Sequence, residues 1–336
     1  MKDNELVPIE ITHDALNKQH HAKKNKRGKG FIVTLLFFSA VLVVAMSFPK
    51  IKLFFKSNVD DFTNTPTDVD SSSDSSTIME TDSNTNSDLV KPIPNDSYKI
   101  IEESFLFSSI TNNTELEIDP VDYKIKTAEE IYNQYGKESP VVLITHFASL
   151  EAYSNGTYYS TNDNFYSYAD NVASIGKSLC QSLCKLGVNA IHMNEVFANG
   201  GIYSSKDEFE KALASILKKF PSIEYVFDIS RDIIINDDLT MIKPICTINN
   251  QKAAQLQIWV GTNDNTELWQ KNLSFATMLS SKNEDIVKSV ILSPFSYSSE
   301  LCPIYLKLDV GAYSNTYNEA LILSEELSTR IAMLIR

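Results

Sequence analysis

The sequence predicts an α/β domain, a largely parallel twisted sheet flanked by helices, preceded by one transmembrane helix and a disordered linker. Three observations predict it. Short apolar runs alternate with amphipathic stretches through the second half of the chain. One uninterrupted apolar run stands near the N-terminus. A Ser/Asp/Thr/Asn tract with almost nothing to bury separates the two.

The elements follow in chain order. Residues 1–30 are a basic segment with seven Lys/Arg and four acids. Phe31–Phe48, FIVTLLFFSAVLVVAMSF, has no charge over 18 residues. At helical rise that is about 27 Å, close to the thickness of a bilayer's hydrocarbon core. No polar stripe interrupts it, unlike a buried core helix. The segment before it is long for a secretory leader, and no A-x-A cleavage site ends it. The basic cluster on its N-terminal side predicts a cytoplasmic N-terminus and an extracytoplasmic C-terminal domain. Residues 49–97 read as the linker. From Asp60 to Asp96 nine acids face one Lys, and self-repulsion extends such a tether. Residues 98–139 read as an irregular or partly helical lead-in, and residues 140–336 as the folded domain.

Within that domain, VVLIT at 141–145 is a buried strand following Pro140. Val172, Ile175, Leu179, Leu183 and Leu186 recur at helical spacing, closed by Gly187. VNAIH at 188–192 is a second strand. Ser205-Lys-Asp-Glu208 has the form of a capping box and opens a helix with Phe209, Leu213, Ile216 and Phe220 on its apolar face. Strands follow at 223–229, 253–260 and 304–310. Helices follow at 268–279 and from Ala320 to Leu334.

Composition narrows the function. The formal net charge is −13, so the chain is a poor general phosphate binder and no nucleic-acid partner is expected. Four Cys in 336 residues do not make a disulfide scaffold. Cys180 and Cys184, one turn apart on a helix, read as buried apolar groups; a bond between Cys246 and Cys302 stays open. The five His are His13, His20, His21, His146 and His192, so only two imidazoles lie beyond the apolar span. In α/β folds ligand sites form at the carboxyl ends of strands, which singles out His146, the run Ser230-Arg231-Asp232, and Asp309. The aromatic-rich loop from Tyr153 to Tyr168 could stack on sugars or pack as a lid.

At these strand ends the sequence resembles the stage II sporulation protein P (SpoIIP) family. THFASLEAY at 145–153 follows a strand, as the family's Y-H-T-H-x-x-E-[SA]-Y type motif does. Asn171-Val172 with Gly176 matches N-V-x-x-x-G. Gly187-Val-Asn-Ala190 matches a G-[IV]-x-V strand. DISRD at 228–232 matches D-x-H-R-D. KAAQ at 252–255, with Val260-Gly-Thr262, matches K-A-A-Q and V-G-T. Trp269, Asn272-Leu273 and Phe275-Ala276 match W-x-x-N-L-x-F-A. Residues 300–316 match D-L-S-P-G-x-L-L-I-E-V-G-A-x-x-N-T.

The resemblance implies a zinc-dependent N-acetylmuramoyl-L-alanine amidase. It further implies peptidoglycan as substrate, other membrane proteins of the engulfment machinery as partners, and membrane attachment through residues 31–48. It assigns His146 and Glu151 as metal ligands, Asp309 to the catalytic carboxylate position, and Arg231 and Asp232 to the catalytic strand end. The departures fall on the chemistry. The second His of H-T-H is Ala148, the His of H-R-D is Ser230, and the Glu of E-V-G is Asp309. A Ser hydroxyl is a poor zinc ligand beside imidazole. A catalytic group displaced by about 1 Å can lose about 10²-fold in rate. Two readings follow: an active or weakly active zinc amidase with substitute ligands, and a non-catalytic relative that binds peptidoglycan or engulfment partners. A generic anchored binding domain is a third.

Overall fold

The computed structural model describes residues 9–11, 97–107, 109–118, 123–154, 158–160, 167, 169–194, 205–262, 268–281 and 285–336. The predicted span 31–48 and almost all of the linker lie outside the described residues, as does most of the Tyr153–Tyr168 loop. No helix among the described residues is long and apolar enough to cross a membrane.

Twelve strands and five α-helices are described. The strands are β1 (Ile9–Ile11), β2 (Ser97–Glu103), β3 (Ile110–Asn112), β4 (Val142–Thr145), β5 (Tyr158–Ser160), β6 (Ala190–Met193), β7 (Tyr225–Asp232), β8 (Met241–Ile248), β9 (Gln251–Ala254), β10 (Leu256–Gly261), β11 (Val287–Ser293) and β12 (Ile304–Ala312). The helices are α1 (Ala128–Tyr135), α2 (Val172–Lys185), α3 (Lys206–Lys219), α4 (Leu268–Ser281) and α5 (Tyr317–Ile335). The main sheet has the order β1-β6-β4-β7-β12-β10-β11-β3. Only β10 against β12 is antiparallel, so the mixed α/β architecture has a largely parallel sheet as expected.

Strand parity decides what each face of the sheet carries, because successive side chains point to opposite sides. Val142, Ile144, Tyr225, Phe227, Ile229, Leu306, Leu308, Val310 and Ile258 form the larger core with the apolar faces of α2, α4 and α5. Leu143, Ile191, Met193, Val226 and Tyr305 form a smaller core with Phe209, Leu213 and Ile216 of α3. At about 25 cal/mol per Å² of apolar surface removed from water, these two layers hold the sheet between helices and fix its register.

The family motifs are largely explained by packing. Asn171 caps α2, its Oδ1 accepting from the Ser174 N–H at 2.9 Å. A Cβ on Gly176 would stand 2.3 Å from Cε1 of His146 and 2.9 Å from Ile144, so α2 lies directly on the imidazole only because residue 176 has no side chain. Gly311 has φ +78°, and a Cβ there would meet Ala254 at 2.7 Å. This sits at the irregularity in the β12–β7 ladder between Asp309 and Ala312, closed by Asn315 Oδ1 accepting from the Ala312 N–H.

Several expectations are corrected. The lead-in supplies strands: β2 joins β8, and β3 joins β11 at the edge of the main sheet. The Gln255 side chain bonds both the N–H and the C=O of Phe105, at 2.9 and 2.7 Å. The expected strand 253–260 is two strands broken at Gln255, the first serving a second sheet of order β5-β2-β8-β9. Strands β8 and β11 were not expected. Ser205 makes no side-chain cap bond; α3 starts at Lys206 and its N-terminal dipole is met by Asp207 and Glu208 instead. True capping boxes open α1 at Thr127/Glu130 and α5 at Thr316/Glu319. All four Cys are free and buried, so the bond left open between Cys246 and Cys302 is not made.

Candidate functional site

The carboxyl ends of β4, β6, β7 and β12 carry the polar residues singled out from sequence, and parity sorts them onto two faces. On the α2 face lie the imidazoles. His146 follows β4, and its Nδ1–H donates to the Ile229 carbonyl at 3.1 Å. That leaves Nε2 as an acceptor, 2.8 Å from Nε2 of His192. His192 shares register with Ile144 across β4 and β6, hence the same face. In this tautomer His192 donates through Nε2, and its buried Nδ1 has no partner. Both rings are 1% exposed. Burial holds His146 well below the usual histidine range, with His192 adding to the effect. Burial, helped by the Lys177 charge, pushes His192 down to about 4. Both are therefore neutral at pH 7.

The opposite face carries a charged grid. In register across β7, β12 and β10 stand Asp228, Lys307 and Trp259, and next to them Ser230, Asp309 and Gln257. The Asp309 carboxylate takes the Lys307 ammonium on Oδ1 and the Trp259 indole N–H on Oδ2 at 2.5 Å. Lys307 also lies over the Trp259 ring, 5.5 Å from its centroid. Gln257 Nε2 bridges Asp309 (3.4 Å) and Asp232 (3.2 Å), and Lys288 pairs with Asp232 at 3.6 Å. Asp228 accepts from the Phe147 N–H at 2.9 Å and the Tyr305 hydroxyl at 3.1 Å. Burial pushes it up to about 7, against those hydrogen bonds and the Lys307 charge. Burial also works against the charge of Lys307, but Asp309, Glu151 and Asp228 outweigh it and hold the ammonium above its ordinary range.

Glu151 closes this grid from the loop after β4. Its Oε2 accepts from the Ser230 hydroxyl at 2.8 Å and the Arg231 N–H at 3.2 Å. Burial raises it, opposed first by the Arg231 charge. The Arg231 guanidinium donates through Nε to the Ala152 carbonyl at 2.7 Å and lies over Tyr313. It fastens the loop that carries Glu151.

The predicted site residues are thus only partly united. Glu151 is joined to Ser230 and Arg231, and Asp309 to Asp232 through Gln257. His146 is joined to His192, whose proximity the sequence did not disclose. Lys307, Trp259 and Asp228 are central and were missed. The signal for Lys307 was available: a cation at i−2 from Asp309 in an apolar strand shares its face and must be paired if buried.

A tetrahedral zinc site needs three protein ligands from one direction. Here the imidazole of His146 is turned to His192, Glu151 meets the Ser230 hydroxyl where the resemblance implies an imidazole, and Asp309 meets an ammonium. Among the described residues no group of three His, Cys, Asp or Glu could hold a metal ion. The residues present do not fit the zinc implied by the resemblance.

Fold and site together define an α/β domain with a polar apparatus at the carboxyl ends of its parallel strands. The family model of stage II sporulation protein P (SpoIIP) matches residues 49–332, and the chain belongs to that family. No curated protein matches it. Solved structures with some likeness include three N-acetylmuramoyl-L-alanine amidases. AmiC2 of Nostoc punctiforme is 10% identical, over 58% of this chain and 94% of that one, with TM-score 0.33. An amidase from Clostridium difficile 630 is 15% identical over 59% and 93%, TM-score 0.31. The apo form of Ami1 from Mycobacterium abscessus is 8% identical over 59% and 100%, TM-score 0.36. Scores this low define neither fold nor activity.

Proposed function

We propose that this SpoIIP-family chain is a membrane-anchored cell-wall protein of sporulation that binds peptidoglycan and does not cleave its stem-peptide amide bond, or does so only weakly. The observation that carries the reading is the engagement of Asp309. The residue at the catalytic carboxylate position is bonded by Lys307 and Trp259, so its oxygens are committed to protein donors. A general base must be free to reach the proton it takes. The substitutions at Ala148 and Ser230 act in the same direction. The aromatic residues beside the grid, Trp259, Tyr297 and Phe295, with ring centroids 6.3 and 6.2 Å apart in sequence, suit a glycan or peptide ligand better than a bare ionic one.

The test is one incubation. Full-length protein in detergent is mixed with purified sacculi in the presence of zinc, and the pellet and the released amino groups are both measured. Retention in the pellet without new peptide amino termini is expected. Release of stem peptides, abolished by Asp309→Ala, would restore the zinc-amidase reading.

The anchor belongs to the same proposal. A span at 31–48 puts residues 1–30 in the cytoplasm and the domain outside. The parallel pairing of Ile9–Ile11 with β6 favours the competing arrangement, with both segments on one side. Protease added to intact cells decides between them: an N-terminal tag that survives supports the anchor, and one that is cleaved places residues 9–11 with the domain.

A further inference from the structure

The grid on the α3 face sets Asp228, Asp309 and Asp232 beside two cations: Lys288, at the edge against Asp232, and Lys307, against Asp309. Lys307 has Asp228 beside it on β7 and Trp259 beside it on β10. Asp309 follows on the same face of β12. The carboxylate of Asp309 has 2% side-chain exposure, and the Lys307 side chain 22%. Asp228 neighbours Lys307 across the parallel β7–β12 pair, Asp309 takes the ammonium on Oδ1, and Glu151 reaches the same face from the loop after β4 through Ser230. The electrostatic coupling of Lys307 to all three carboxylates agrees with that placement.

We propose that Lys307 takes the place of a divalent metal ion in this grid: its ammonium pairs with Asp309 and adds to the offset of Asp228 and Glu151, and its presence keeps such an ion out. Two features make the substitution coherent. An ammonium offers three donors and no acceptor, so it satisfies carboxylates without needing imidazole ligands, which this chain lacks at 148 and 230. A fixed positive charge within a few ångströms also repels a second cation entering a poorly hydrated site. Ser230 then has no ligand role, and its hydroxyl serves Glu151 as a hydrogen-bond donor. The charge balance of the grid is then built into β12.

This rests on the non-catalytic reading of the same grid, but its test reads zinc and not the cell wall. Full-length protein in detergent is titrated with zinc against a chromogenic chelator. Four forms are compared: wild type, Ser230→His, Lys307→Leu, and Ser230→His with Lys307→Leu. Wild type and Ser230→His should bind zinc weakly. The double variant, with an imidazole restored and the ammonium removed, should bind about 10²-fold more tightly, the upper size of an outer-sphere effect on metal affinity. Should Lys307→Leu fail to fold, Lys307→Gln, neutral but polar, serves the same comparison. Stoichiometric tight zinc in the wild type overturns the proposal. So does a double variant that binds no better than Ser230→His alone. Loss of sacculus retention with the zinc order unchanged would overturn the cell-wall reading and leave this one standing.

Discussion

The two faces of the main sheet handle buried polarity in opposite ways. Under α2, His146 and His192 are kept neutral: one hydrogen bond joins them, one backbone carbonyl fixes the tautomer, and Gly176 lets the helix seal them off. Toward α3, the groups stay charged or nearly so, because Lys307 and Asp309 form an ion pair within a grid that also holds Asp228, Ser230, Gln257 and Trp259. The difference teaches how strand parity sorts buried polar groups into separate networks. His146 and Asp309 both occupy family positions, yet a two-residue strand period sends them to different environments, and each has found a partner there.

The comparison can be broken most severely on the charged face. Lys307→Met should cost about 3–5 kcal/mol, the size expected when one partner of a buried ion pair is removed. Adding Asp309→Asn should recover most of it, as read by urea unfolding of the two variants. A loss confined to a few tenths of a kcal/mol would mean that Lys307 is solvated and not part of the grid. On the neutral face the corresponding damage is steric. Gly176→Ala places a methyl against His146 and should destabilise by about 1–3 kcal/mol through overpacking; an unchanged unfolding midpoint would show that α2 does not rest on the ring.

Acidification separates the two faces by sign. His192 titrates at about 4 when folded against roughly 6.5 unfolded. The unfolded chain binds more protons in that window, so stability is fully present above about 6.5 and is lost as pH falls toward 4. Asp228 titrates at about 7 folded against roughly 3.9 unfolded. The folded chain binds more protons there, so stability is present at low pH and is lost as pH rises through about 7. The two slopes oppose one another between about 4 and 6.5. Asp228→Asn, which keeps an oxygen for the Phe147 N–H and offers its NH2 to the Tyr305 hydroxyl oxygen, removes one of them. The variant should lose stability on acidification more steeply than wild type, by up to about 1.4 kcal/mol per pH unit. Parallel profiles would contradict the opposition. The smallest effect is expected at the helix that covers the neutral face: Asn171→Ala deletes the α2 cap and should cost about 1 kcal/mol in the same assay.

Much of this was legible in the sequence, for definite reasons. Strands β4, β6, β7 and β12 read as short apolar runs because both of their faces are covered. Helices α2 and α5 read clearly because one face of each is continuous core. Strands β2, β8 and β11 did not, since Lys99, Lys243 and Lys288 interrupt their apolar pattern, nor did β3, three residues long with one apolar side chain; Lys243 is nonetheless buried, paired with Glu319 at 3.2 Å. At the site, motif order singled out His146, Glu151, Ser230, Arg231, Asp232 and Asp309. Their grouping was illegible because it depends on register between strands distant in the chain. Asp228 and Lys307 are 79 positions apart yet adjacent in the ladder. His146 meets His192 only because β6 lies beside β4.

Imidazole nitrogen shifts test the division of the site most directly. With histidines labelled with nitrogen-15, full-length protein in detergent gives signals for five residues, which His146→Gln and His192→Gln assign. Zinc is then added. The account predicts that His146 and His192 show neutral, mutually hydrogen-bonded rings at pH 7 and that neither signal moves with zinc. A zinc-dependent shift of both to metal-bound values would contradict it and return the two imidazoles to a common metal centre.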